Sequence, residues 1–192
     1  MIGAKNSVRV FVKYRRLQRR LRGGTLTAWI RLMGGRVAGG LQAERGVLIR
    51  WRPHIGLDFG RGVYLGVGTI LDVPPGARLS VGDGVKIMHY CVVASSRSIE
   101  IGAMTQVAEH CSIRDSDHGL ELSRPIREQT LASPTKIGSD VWIGRGSAVL
   151  RGTSIGDGAV IGANSVARGQ IPPLAIAVGA PARVIRMRAV TT

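Results

Sequence analysis

Within the segment IRDSDHGLELSRPIREQTLASPTKIG (113–138), one histidine, His118, follows Asp117 directly and Asp115 by three residues. Imidazole titrates near neutrality, so it is the side chain best suited to take a proton from a weakly acidic group at physiological pH. A carboxylate on one ring nitrogen would fix the tautomer and leave the other nitrogen facing a substrate. Asp115 and Asp117 are both candidates for that support, and a backbone carbonyl is a third. The competing account is an exposed loop histidine beside two solvated acids. Position favours the chemical account, because His118 stands where a regular pattern breaks off, and the pattern resumes at Ile137.

That pattern is a six-residue repeat. From residue 137 it reads IGSDVW, IGRGSA, VLRGTS, IGDGAV and IGANSV, with aliphatic residues at 137, 143, 149, 155 and 161. Before the break the same beat starts at 101, 107 and 113, and a shifted phase runs through Leu57, Val63, Val81, Ile87 and Val93. A six-residue period fits neither a helix nor a hairpin meander, whose turns are spaced more widely. It fits short parallel strands closed by glycine-containing corners, three hexapeptides to a triangular coil, each coil burying its inner face on the next. Ile113 and Ile137 stay in phase, so residues 117–136 are expected to be a loop thrown out from one corner of the prism. This loop has charges, two prolines and Gly119 but no strand alternation, and a long excursion of that kind is usually functional or disordered.

Composition agrees with such a core. The 192 residues are 44% hydrophobic but only 4% aromatic, with 27 glycines, so small and β-branched side chains must fill narrow, stacked strands. Charge is uneven: the net +15 is carried mostly by residues 1–52, which hold 13 basic residues against Glu44 alone. In VRVFVKYRRLQRRLR (8–22), Val10, Tyr14, Leu17 and Leu21 share one helical face, and Gly23-Gly24 is the expected end of that helix. A basic amphipathic helix suits either a cap on the first coil or contact with an anionic membrane surface. No nucleic-acid recognition motif accompanies the charge. Cys91 and Cys111 form no CxxC pair, and neither a signal-peptide core nor an apolar run of about 18 residues is visible. The expectation is a soluble cytoplasmic protein, acting at the inner face of the membrane if the basic segment binds lipid.

Eight well-formed hexapeptides and the closing run IPPLAIAVGAPARVIR (171–186) resemble the left-handed parallel β-helix acyltransferases over roughly residues 53–188. Within that family, DSDHG (115–119), REQ (127–129) and VWIG (141–144) are most similar to the sugar O-acetyltransferases of polysaccharide and Nod-factor biosynthesis. The resemblance implies an all-β, left-handed β-helix over 53–188, after a partly helical basic extension (1–52) and before a short tail (189–192). It implies acetyl-CoA as acyl donor, a saccharide hydroxyl as acceptor, and His118 as general base, with Asp115 or Asp117 behind it. The backbone amide of Arg145 is the implied oxyanion donor. Trp142, Ala163, Arg168, Ala180, Pro181 and Arg183 are implied along the donor path, with a packing tryptophan as the alternative for Trp142.

Relatives often read VTKDIPP where this chain has VARGQIPP (166–173), so Arg183 matches the pattern better than Arg168. The family's trimers place each active site between neighbours, and the 117–136 loop, with Glu121, Arg124 and Arg127, would help close the acceptor pocket. A gamma-type carbonic anhydrase shares the fold and binds zinc through three histidines. Here His89, His110 and His118 are the only plausible triplet of the four histidines, DSDHG does not match that arrangement, and no metal is expected. Two alternatives remain open: N-acylation of an amino sugar or small acceptor, and a non-catalytic β-helix scaffold.

Overall fold

Aliphatic residues every six positions leave the chain room for only two to five residues of strand before it must turn. The computed structural model shows the outcome; it describes residues 2–189, with side chains from residue 12 onward. Strands wind into a three-faced prism of six complete coils and part of a seventh. The first coil is Arg36–Gly39, Gln42–Ala43 and Leu48–Ile49, one strand on each face. Each later strand of the coils, as far as Ala175–Val178, pairs in parallel with the strand one coil before it. The first coil thus begins at residue 36, inside the segment 1–52 that was expected to precede the solenoid. Of the expected tail, only residue 189 is described.

In-register stacking puts like residues in columns through the interior. On the first face Phe59, Val81, Ile101, Ile137, Ile155 and Ile171 stack in order. Leu65, Ile87, Val107, Ile143, Ile161 and Ala177 do so on the second. Ile49, Leu71, Val93, Ile113, Val149 and Ala167 form the third. All these side chains are buried, which is why the sixfold beat is the dominant sequence signal. The fainter phase is real as well: Leu57, Val63, Val81, Ile87 and Val93 all lie in the core.

Polar corner residues stitch consecutive coils together. Thr69 Oγ1, Ser147 Oγ and Thr105 Oγ1 donate to the carbonyls of Met88, Gly162 and Gly138 at 3.0, 2.9 and 2.8 Å. Cys91 and Cys111 occupy equivalent sites between the second and third faces, with Sγ 3.0 and 3.1 Å from the carbonyls of Ala108 and Gly144. The cysteines are free, buried, and act as small donors in a corner ladder.

The N-terminal helix runs from Ile2 to Leu32 and passes through Gly23-Gly24, where the sequence suggested an end. Gly23 is there for close approach: a Cβ would collide with the Leu41 carbonyl oxygen of the first coil. The stop is Gly34, at φ 87°, where Gly35 N donates to Ile30 O at 2.9 Å and Gly34 N to Arg31 O at 3.0 Å. This is a Schellman end. Ile30, fully buried, and Leu26 pack on the core, whereas Tyr14, Leu17 and Leu21 face away from it. The helix covers the first coil, then, but through a different face from the one expected. Val10 lies outside the residues whose side chains are described.

Candidate active site

The chain leaves the prism at the corner between the third and first faces, after Ser112–Arg114, and re-enters at Thr135–Ile137. Ile101 still pairs with Ile137 and Ile113 with Val149, so the excursion leaves the columns undisturbed. The excursion is not irregular, as expected from its composition, but a β-hairpin. Ser116–His118 pairs antiparallel with Thr130–Ala132, and a 3₁₀ turn at Ile126–Glu128 sits in the connection. Paired backbone replaces the missing apolar alternation, since the hairpin lies mostly in solvent.

His118 ends the outgoing strand and is exposed. Its Nδ1 lies 3.1 Å from the carbonyl oxygen of Ile126. A carbonyl only accepts, so Nδ1 carries the hydrogen and Nε2 of the neutral ring holds a free lone pair. The turn that presents this carbonyl is built on Gln129. Gln129 Nε2 donates to the carbonyls of Glu121 and Arg124 at 2.8 and 2.7 Å, and its Oε1 accepts from Glu121 N at 3.1 Å. Gly119 makes room for it, because a Cβ there would sit 2.6 Å from Gln129 Oε1. These partners were not singled out from sequence, although Gly119 closes DSDHG and Gln129 closes REQ.

Neither aspartate touches the ring. Asp117 Oδ1 accepts from the backbone N of His118 at 2.9 Å. Asp115 is fully buried at the hairpin's base, where its carboxylate accepts from Ser95 Oγ, Ser96 N and Arg97 N at 2.9, 2.6 and 2.8 Å. Its carbonyl also takes the N–H of Ser133 at 2.8 Å. Asp115 clamps both hairpin strands to the preceding coil; of the three supports open to His118 from sequence, the backbone carbonyl, that of Ile126, is the one in contact, and neither Asp115 nor Asp117 is.

Arg145 lies at another corner, between Trp142–Ile143 on the second face and Ala148–Val149 on the third. Its guanidinium pairs with Glu109 at 3.3 Å. The flanking amides of Gly144 and Gly146 donate within the coil, to Ile161 O at 2.7 Å and Glu109 O at 3.0 Å. Ala163 stacks against Gly144 at this corner, one coil on. The segment around Ala180 and Pro181 closes over the same corner: Val166 N donates to Gly179 O at 2.9 Å, and Ala182 N to Val166 O at 2.8 Å. Arg183, exposed, then starts the strand Arg183–Met187, which folds back antiparallel on Ala175–Val178.

Arg145, Ala163, Ala180 and Pro181 therefore gather along one corner, with Arg183 at its end. Trp142 stands beside it on the second face, 57% exposed, in a groove of about 460 Å³ that also involves Gln106, Val160, Ile176 and Arg186. Arg168 does not join this group; it lies between Val166–Ala167 and Gln170–Ile171, at the corner that carries the hairpin. His118 and the Arg145 corner thus belong to different edges of one prism. His89 and His110 sit at the Arg145 corner, His89 accepting from Val67 N at 2.9 Å and His110 stacked on Tyr90. The three histidines are not brought together, and among the described residues no group of three His, Cys, Asp or Glu side chains is arranged to hold a metal ion.

A coil this regular, broken once by a histidine-bearing hairpin, is the architecture of an acyltransferase β-helix, and the chain belongs to the bacterial hexapeptide-repeat transferase family. Residues 134–169 match the family described as bacterial transferase hexapeptide, six repeats. WbbJ of Escherichia coli, whose name assigns it to lipopolysaccharide biosynthesis as an O-acetyl transferase, is 36% identical over 139 residues, 68% of this chain and 71% of WbbJ. Rv3034c of Mycobacterium tuberculosis, an acetyltransferase by name, is 41% identical over 147 residues, 75% of this chain. This chain spans only 49% of that relative.

Among solved structures, an Asp-to-Asn mutant of AntD of Bacillus cereus, an N-acyltransferase in complex with dTDP and coenzyme A, superposes with a TM-score of 0.71 at 18% identity, over 80% of this chain and 84% of that one. VCA0836 of Vibrio cholerae, a hexapeptide-repeat acetyltransferase complexed with acetyl coenzyme A, gives 0.55 at 22% identity, over 88% and 86%. At these identities the likeness is one of fold.

Proposed function

We propose that the protein transfers an acetyl group from acetyl-CoA to a hydroxyl of a saccharide or surface-polysaccharide intermediate, with His118 as general base. The observation that carries this is the hydrogen bond from His118 Nδ1 to Ile126 O, which leaves Nε2 as the acceptor at an exposed site. Nε2 takes the proton of the acceptor hydroxyl as its oxygen attacks the thioester carbonyl. The backbone amide of Arg145 donates to the oxyanion that forms. Collapse breaks the C–S bond, and the thiolate of CoA leaves with the proton from the imidazolium. The Arg145 corner suits an extended anionic donor: small residues Ala163 and Ala180 permit close approach, and Arg183 is exposed to meet phosphate.

Because His118 and Arg145 lie on different edges of one prism, the transfer needs a second copy of the chain to supply one of them. A homotrimer with sites between neighbours meets that need, and the hairpin side chains Glu121, Arg124 and Arg127 would then border the acceptor. The protein is proposed to work in the cytoplasm, with its basic N-terminus in peripheral contact with the inner face of the membrane. Among the described residues no helix is long and apolar enough to cross one.

Titration of acetyl-CoA into the purified protein, followed by CoA release with hydroxyl and amine sugars as acceptors, tests the proposal. Binding weakened by Arg183→Ala, and hydroxyl-dependent release lost in His118→Ala, is the expected result. Release with amines alone would make the protein an N-acyltransferase, and no donor binding by the folded oligomer would leave the scaffold account.

A further inference from the structure

The N-terminal helix turns the wrong side outward for a simple cap. Tyr14, Leu17 and Leu21 follow one another by three and four residues, and Leu32 stands five turns from Tyr14 on the same face. These four are 55%, 56%, 61% and 78% exposed, while Ile30 on the opposite face is fully buried. Several large apolar side chains in one line along an exposed helix signal a contact surface rather than chance exposure.

The charge around this stripe selects its partner. Residues 1–32 hold nine basic residues and no acid; the first acid of the chain is Glu44. Arg15 and Arg19 lean toward the body, Arg15 pairing with Glu44 at 3.6 Å and Arg19 lying 5.7 Å from the ring centre of Tyr64. Lys13 and Arg20 are exposed alongside the stripe, and Arg16 is exposed farther round the helix, with no carboxylate in reach among the described residues. A second copy of this helix would bring the same uncompensated charge against it, so self-pairing through the stripe is opposed. An anionic lipid surface satisfies both features, taking the apolar stripe at the headgroup boundary and the cations among the headgroups.

We infer that the outward stripe Tyr14, Leu17, Leu21 and Leu32, bordered by Lys13 and Arg20, is a docking face for an anionic lipid bilayer. This deepens the peripheral contact proposed above, on which it rests, by assigning it to one face of the helix. The prism would stand on its first coil. The hairpin emerges after the fourth, so His118 would be carried roughly 15 Å farther from the bilayer, three coil spacings of about 4.8 Å. An acceptor saccharide built on a membrane-anchored lipid carrier would project to that height.

The test is co-sedimentation of the full chain with vesicles of phosphatidylcholine containing about 30% phosphatidylglycerol, against phosphatidylcholine alone. Binding to the anionic vesicles, reduced at least tenfold by Leu17→Glu with Leu21→Glu and retained by Leu17→Phe with Leu21→Phe, is the expected result. No binding, or binding unchanged in the glutamate variant, would overturn the assignment. So would a smaller oligomer for the glutamate variant in sedimentation velocity, which would make the stripe a contact between copies. Acetyl-CoA titration of the same preparations keeps the two proposals apart, because failure to bind vesicles leaves donor binding untouched and the converse also holds.

Discussion

The carbonyl oxygen of Ile126 lies 3.1 Å from Nδ1 of His118, across the tip of the hairpin and eight residues along the chain. The tautomer of the histidine is thereby set by a turn rather than by either neighbouring acid. A carbonyl cannot take up a proton as a carboxylate can, so it orients the ring without sharing the charge change.

His118→Ala should lower acetyl transfer by about 10²- to 10⁴-fold, the usual contribution of a positioned acid–base group. Acetyl-CoA affinity should be unchanged, since the proposed donor path follows the Arg145 corner, on another edge of the prism. Single-turnover CoA release beside calorimetric titration separates the two effects.

Gln129→Ala removes three hydrogen bonds that shape the turn behind Ile126. Turnover should fall at least tenfold, with little change in melting temperature, because the hairpin carries none of the stacked columns. Gly119→Ala should reproduce the loss, as its methyl would press on Gln129 Oε1. Parallel kinetics and thermal melts of the two variants check both statements.

Asp115→Ala should act on stability first. It removes the acceptor of the buried Ser95 hydroxyl and of the part-buried Ser96 and Arg97 amides, a cost on the order of 2 kcal/mol. Urea unfolding reads this directly. A full loss of turnover with unchanged stability would return Asp115 to a chemical role.

Ile143→Ala opens a hole in the middle of the second-face column, between Val107 and Ile161. The expected destabilisation is about 2–5 kcal/mol by denaturant unfolding, the range for large-to-small core changes. Trp142→Ala, next to it on the exposed side, should cost far less stability, and donor titration would show what it contributes to binding.

The sequence by itself determined the coil, because the stacking that buries Ile137, Ile143, Val149, Ile155 and Ile161 demands the same residue type every six positions. It also marked the candidate site's position, since the longest departure from that demand is the one that holds His118, and the family motifs were legible in the same residues. It did not reveal the hairpin's pairing, the carbonyl behind His118 or the buried clamp of Asp115: backbone groups leave no letter, and a buried aspartate reads like a solvated one. The tertiary structure alone decided that Arg168 lies on the hairpin's corner while Ala163 lies on Arg145's, because a position's edge depends on the count of residues in every preceding turn. It likewise decided which side of the N-terminal helix is buried. Gly23 lets the backbone approach Leu41, and that contact turns Tyr14, Leu17 and Leu21 outward. Helical periodicity names the faces of a helix, but only packing chooses between them.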